Sequence, residues 1–276
     1  MKKIIAMAMV LVVLFSGFAL VQAKQDQSKN DKKIDKEYKI HEENGIHDVP
    51  GHPNMKVKVF VHKAKGGKPG KPTPTPTKEP DVCELSDENS SSAFVGPMGT
   101  ILPANWEYTL NLNSVPSSVG SENLKTIVER AFSVFSEDSG VNFTRTKNKT
   151  TLNRARYDGK NIIAWGATSA GALATTYTTY YVSSGEVVDV DTIMNNQYPW
   201  SWADQAEYSG CAYSDSYDAQ NIMTHEFGHW LGLEDFYTED FVNHTMYGYG
   251  APGEVKKDTL TLGDIAGIKA IYPNVP

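Results

Sequence analysis

Two histidines four residues apart, His225 and His229 in HEFGHWLGLEDF (225–236), stand on one side of a helix, close enough for both imidazoles to reach one metal ion. Glu226 follows the first histidine, where a carboxylate would sit beside the metal and handle the protons of a bound water. Zinc that activates water takes three protein ligands and keeps a fourth position open. Gly232, three residues after His229, falls where a helix must end and the chain must turn, and glycine takes the left-handed conformation without penalty. Asp235 arrives just past that turn, and a carboxylate oxygen binds zinc at about the same distance as an imidazole nitrogen. The spacing His225, Glu226, His229, Gly232, Asp235 therefore reads as a zinc site with Glu226 as its base. Glu234, Glu239, Glu254 and His244 stay open as alternative third ligands.

The elements that must position these residues follow from periodicity. In SENLKTIVERAFSVFSEDSG, Leu124, Ile127, Val128, Ala131, Phe132 and Phe135 recur at helical spacing up to Gly140. VNFTRT and NIIAWG read as strands, and LATTYTTYYVSSGEVVDVDTIM as two more with a turn near SSG. A second helix starts near Asp218, a plausible N-cap, and carries the metal motif. A C-terminal helix opens at TLGD, where Thr261 can cap and Asp264 can answer, with Leu262, Ile265, Ile268 and Ile271 as its expected buried face. Strands gathered before helices predict an α/β (α+β) domain: one mixed, twisted sheet packed on two long helices, with a C-terminal helix. The carboxylates Asp189 and Asp191 in EVVDVD offer calcium ligands or a solvated strand face.

The 276 residues carry a formal charge of −7, and with no basic face to neutralise phosphates nucleic acid is excluded as a partner. Residues 1–23 pair Lys2 and Lys3 with an apolar run ending in small residues, a secretory signal peptide cleaved after Ala23; an uncleaved anchor is the alternative. Residues 24–62 are a polar pro-segment or spacer, in which NMKVKVFVHK alternates Met55, Val57, Val59 and Val61 as a short strand that alone cannot build a core. Its histidines His41, His47, His52 and His62 are read as solvated rather than metal-masking. Residues 63–80 form a linker of glycines and Thr-Pro pairs, so the folded domain is expected over 81–276. Export to an oxidising compartment makes a Cys83–Cys211 disulfide the simplest assignment, with Cys83 as a metal ligand the rival.

The motif resembles that of the metzincin zinc peptidases, HExxHxxGxx followed by His or Asp with a downstream Met-turn, and HTMYGYG supplies that turn at Met246. GALA (171–174) and LTLGDIAGIKAIYP (260–273) make the matrixin subgroup the closest within that clan. The resemblance implies a metzincin-like zincin fold and a secreted or cell-surface zinc endopeptidase, monomeric, with one catalytic zinc, Met246 under the metal, and no membrane partner after signal cleavage. It also implies an extended peptide or protein substrate paired along the strand at Leu173 and Ala174. Tyr247 and Tyr249 then either wall the pocket after the cut or pack in the core. Asp235 stands where matrixins usually have histidine, as in the snapalysin type. PDVCEL lacks a cysteine-switch motif, and Thr175 and Thr176 replace histidines of a second zinc site. The rival function is a secreted binding module that keeps fold and metal without turnover, for which Glu226 would have no use.

Overall fold

The computed structural model describes residues 43–65, 79–83 and 91–274. The predicted signal peptide at 1–23, most of the polar segment with His41, and residues 66–78 of the predicted linker lie outside them. Before the linker stand β1 (Gly45–Asp48) and β2 (Met55–Ala64), and after it the short β3 (Val82–Cys83). Then follow β4 (Asn105–Leu110), α1 (Leu124–Ser139), β5 (Asn142–Arg145), β6 (Ile162–Gly166), β7 (Ala172–Tyr181) and β8 (Val187–Asn195). The two-residue strands β9 (Trp200–Ser201), β10 (Cys211–Ala212) and β11 (Tyr217–Asp218) lead into α2 (Ala219–Trp230), and β12 (Tyr249–Gly250) and α3 (Leu262–Ile271) complete the order.

Among the described residues the main sheet runs β1-β2-β7-β8-β6-β4-β5, with β12 on β2. β5, β4, β6 and β8 pair in parallel, whereas β7 is antiparallel to β8, and β2 is antiparallel to β7. This is the mixed sheet and three-helix arrangement expected from the sequence. α1 buries the predicted stripe and stops at Gly140. Its Phe132 ring stacks on Phe143 of β5 at 4.0 Å and on Phe227 of α2 at 3.8 Å, which locks the metal-motif helix to the sheet layer.

The alternating run Met55, Val57, Val59, Val61 is a strand, but it does not stand alone. β2 is the next strand beyond β7, with Val57 and Val59 fully buried, and it continues through Lys63 and Ala64, the first residues of the predicted linker. Periodicity gave the faces of this strand and not its neighbour.

α3 differs from its predicted face at Leu262. Thr261 and Asp264 form the capping box, Ile268 is buried and Ile265 and Ile271 pack against the core as expected, yet Leu262 is 55% exposed and Gly263, Asp264 and Gly267 are buried in its place. The cause is segment 93–95, which crosses this helix so closely that a Cβ at Gly263 or Gly267 would meet the carbonyls of Ala93 or Val95. The glycine side of the helix faces inward because the crossing chain needs that room.

Cys83 and Cys211 are bonded to each other across the β3–β10 pair, which removes Cys83 as a metal ligand. Among the described residues no helix is long and apolar enough to cross a membrane.

Candidate metal centre

Every residue of α2 is buried. Asp218 starts it as predicted: its carboxylate accepts from the Gln220 and Asn221 amides at 2.9 and 3.0 Å, and from Ala203 N at 3.0 Å. Burial pushes this carboxyl up to about 6 against those three hydrogen bonds. The C-terminal end is a Schellman motif, with Leu233 N donating to Gly228 O (2.9 Å) and Gly232 N to His229 O (3.2 Å). Gly232 has φ +96°, the left-handed conformation that reverses the chain and returns Asp235 to the two histidines.

Three donor atoms converge there. His225 Nε2 and His229 Nε2 are 3.2 Å apart, and Asp235 Oδ1 lies 3.1 and 3.3 Å from them. Ligands about 2.0–2.1 Å from a zinc ion at tetrahedral corners stand about 3.3 Å apart, so the triangle has the edge lengths such an ion requires. The tautomers agree. His225 Nδ1 is 2.7 Å from Thr245 O and His229 Nδ1 is 2.9 Å from Leu233 O. A carbonyl only accepts, so each Nδ1 carries the hydrogen and each Nε2 turns a lone pair into the triangle. Two lone pairs and a carboxylate oxygen at this separation can hold a metal cation between them, or a proton when no metal is bound. Without a metal, a proton on His229 takes that place: burial raises the Asp235 carboxyl, but the charge of His229 and hydrogen bonds from the imidazoles outweigh it and hold the group well below the usual carboxylate range. Tyr237 donates to Asp235 Oδ2 at 3.1 Å, leaving Oδ1 for the triangle.

The other candidate third ligands point elsewhere. Glu234 pairs with Lys58 at 3.1 Å, Glu254 with Lys257 at 2.7 Å, and His244 Nε2 meets Ala93 O at 2.9 Å. Glu239 lies in a 3₁₀ turn (Glu239–Phe241) outside the cluster.

Glu226 lies beside the triangle, oriented by a chain of hydroxyls absent from the sequence reading. Trp230 Nε1 donates to Thr192 Oγ1 (2.8 Å), Thr192 and Thr176 hydroxyls are 2.7 Å apart, and Thr176 donates to Glu226 Oε2 (2.6 Å). The indole only donates and an ionised carboxylate only accepts, so the direction of every hydrogen in the chain is fixed. Burial pushes the Glu226 carboxyl up to about 7, against opposing pulls from His229 and the Thr176 hydroxyl. Threonines in a strand carry no signal of such a role, since packing on a half-buried sheet favours them anyway.

Met246 is fully buried, and its thioether lies against Gly228, where no Cβ would fit. Gly228 falls between the two histidines on α2, so the Met246 contact braces the helix at the site. Asp264 holds this turn while capping α3: it accepts from Thr245 N at 3.1 Å and Met246 N at 3.4 Å. Tyr247 and Tyr249 follow, their rings 5.5 Å apart, and Tyr249 meets the Tyr237 ring edge-on at 5.3 Å. Leu173 and Ala174 are fully buried on β7, and Ala174 is paired with His62 of β2. His62, read as solvated, is fully buried with Nδ1 3.3 Å from Glu226 Oε1.

Asp189 and Asp191 are committed to backbone. Asp189 Oδ2 accepts from Gly159 N (2.7 Å) and Asp158 N (3.3 Å), and Asp191 accepts from Arg156 N (2.7 Å) and Ile162 N (2.8 Å). They anchor the loop before β6 and are buried rather than on a solvated strand face, and neither belongs to a group of three or more possible metal ligands among the described residues.

Comparison with known families finds a match between residues 103–273 and the model of the matrixin family, peptidase M10. No curated protein matches the chain.

Proposed function

The chain belongs to the matrixin family of peptidases, and from that premise we propose that it is a zinc-dependent endopeptidase that cuts extended protein segments, with His225, His229 and Asp235 as metal ligands and Glu226 as the general base. The observation that carries this reading is the donor triangle with edges of 3.1–3.3 Å beside a carboxylate whose Oε1 has no hydrogen-bond partner. The family's zinc, when bound, supplies the Lewis acidity that polarises a peptide carbonyl and makes water a nucleophile.

The rest of the chemistry belongs to the chain. His225 and His229 keep their Nε2 lone pairs aimed inward because Thr245 and Leu233 carbonyls hold Nδ1–H. Thr176 pins Oε2 of Glu226, so Oε1 is the atom that takes a proton from water and returns it to the departing amine. Tyr237 keeps one Asp235 oxygen from rotating out of the triangle. The edge of β7 at Leu173 and Ala174 can pair with an extended main chain, the binding mode known as strand addition. Tyr249 opens β12, which pairs with β2 on the side opposite β7, and Tyr247 stands two residues before it. Export, with removal of 1–23, is consistent with the Cys83–Cys211 disulfide, which persists in oxidising compartments. We take the active chain to be monomeric and the unit from residue 81 onward to carry the catalytic machinery.

The test is hydrolysis of a reduced, unfolded protein by the zinc-loaded chain carrying His62→Ala, which uncovers Glu226 Oε1, by the same chain after chelation, and after zinc is restored. Fragments that appear with zinc, vanish on chelation and return on restoration are expected. A folded, zinc-loaded His62→Ala chain that yields no fragments would move the binding-module reading ahead.

A further inference from the structure

The cleft beside His225, Glu226 and His229 is filled by the chain's own β2. Its register with β7 runs from Met55↔Tyr181 to Lys63↔Ala172, so the edge on which a substrate would pair is taken. At its C-terminal end the strand is held on both sides. Ala64 N donates to Gly171 O at 3.0 Å, while Lys63 N and Lys65 N donate to Gly248 O (3.0 Å) and Gly250 O (2.8 Å) across the cleft. The Lys63 and Lys65 ammonium groups lie 5.1 and 5.8 Å from the Tyr237 and Tyr247 ring centres. A peptide bound in extended form between a sheet edge and an opposite wall has this set of partners.

The side chains on one face of β2 reach the metal centre in order. Lys58 pairs with Glu234 at 3.1 Å, Phe60 stacks on the His229 ring at 3.8 Å, and the His62 ring lies 3.8 Å from that of His225. His62 Nδ1 stands 3.3 Å from Glu226 Oε1, both side chains fully buried, and neither His62 nitrogen nor that oxygen has a hydrogen-bond partner. A buried polar group without a partner costs on the order of 1–3 kcal/mol, so packing alone would favour an aliphatic residue here. The imidazole is placed where it covers the atom that must receive a proton.

We propose that β2 is an intramolecular pseudosubstrate: it occupies the β7 edge and lays His62 over Glu226, holding the full chain inactive until the strand is displaced. The proposal rests on the peptidase reading above and adds its regulation. Removing a cover that keeps only a small fraction of molecules open raises the apparent rate in proportion to that fraction.

The experiment compares the zinc-loaded full chain with His62→Ala, Phe60→Ala and the milder rim variant Lys58→Ala. Two rates are read: cleavage of an unfolded protein, and transfer of zinc to a chelating dye. His62→Ala and Phe60→Ala are expected to raise both by about ten-fold or more, and Lys58→Ala to raise both by less. A synthetic peptide of sequence MKVKVFVHKAK, residues 55–65, added to the His62→Ala chain should slow both again. Equal cleavage and equal zinc transfer in parent and all variants, with no effect of the peptide, would overturn the proposal. Faster zinc transfer with no cleavage in any form would uphold the strap and sink the peptidase reading instead.

Discussion

Replacing Glu226 by glutamine is expected to lower kcat for peptide hydrolysis by about 10²- to 10⁴-fold, the range over which general acid–base groups act, while zinc stays bound. Glu226 is outside the His225–His229–Asp235 triangle, so with those three as the proposed ligands its loss removes none of them. Glutamine keeps the length and can still accept from Thr176, which leaves the hydroxyl chain to Thr192 and Trp230 intact. What it lacks is an atom that can take a proton. The comparison belongs in the His62→Ala background, where β2 no longer masks the rate, with zinc counted by elemental analysis. A variant that retains zinc and most of its kcat would assign the base to another group.

Asp235→Ala should weaken zinc binding by more than about 100-fold, since partners that merely support a ligand already account for 10- to 100-fold. The substitution should also separate metal affinity from folding. In the metal-free chain the Asp235 carboxylate is held well below its usual range by the two imidazoles, so at neutral pH it contributes stability and its removal leaves a buried imidazole without its partner. The zinc-free variant is therefore expected to melt below the zinc-free parent at neutral pH. Zinc should stabilise the parent strongly and the variant little, the difference reaching about 2.7 kcal/mol for a 100-fold change in affinity at saturating metal. Thermal unfolding at fixed free zinc checks both halves. Equal zinc-induced shifts in parent and variant would remove Asp235 from the ligand set.

The metal motif was legible because its chemistry is local. Two histidines one helical turn apart, a glycine able to reverse the chain, and a carboxylate three residues later are all set by short-range geometry, and the Schellman turn at Gly232 realises it. The Asp218 and Thr261 caps were legible for the same reason. What could not be read depends on distant chain. Nothing in NMKVKVFVHK says that its strand joins the edge of β7, which lies more than a hundred residues further on, so His62 looked like one histidine of a polar tail. The hydroxyl chain behind Glu226 joins Thr176 and Thr192 from neighbouring strands, and register alone brings them together. On α3 the apolar spacing placed Ile268 in the core and Ile265 and Ile271 against it, but not Leu262, which is exposed because the crossing of segment 93–95 turns the glycine side inward.

The most direct measurement is X-ray absorption at the zinc edge of the purified full chain, together with metal content. One zinc per chain with two imidazole nitrogens and a carboxylate oxygen in its first shell, this signature being lost in Asp235→Ala, is the predicted result. A folded chain that takes up no stoichiometric zinc, or a zinc whose shell is unchanged in Asp235→Ala, would contradict the account at its base.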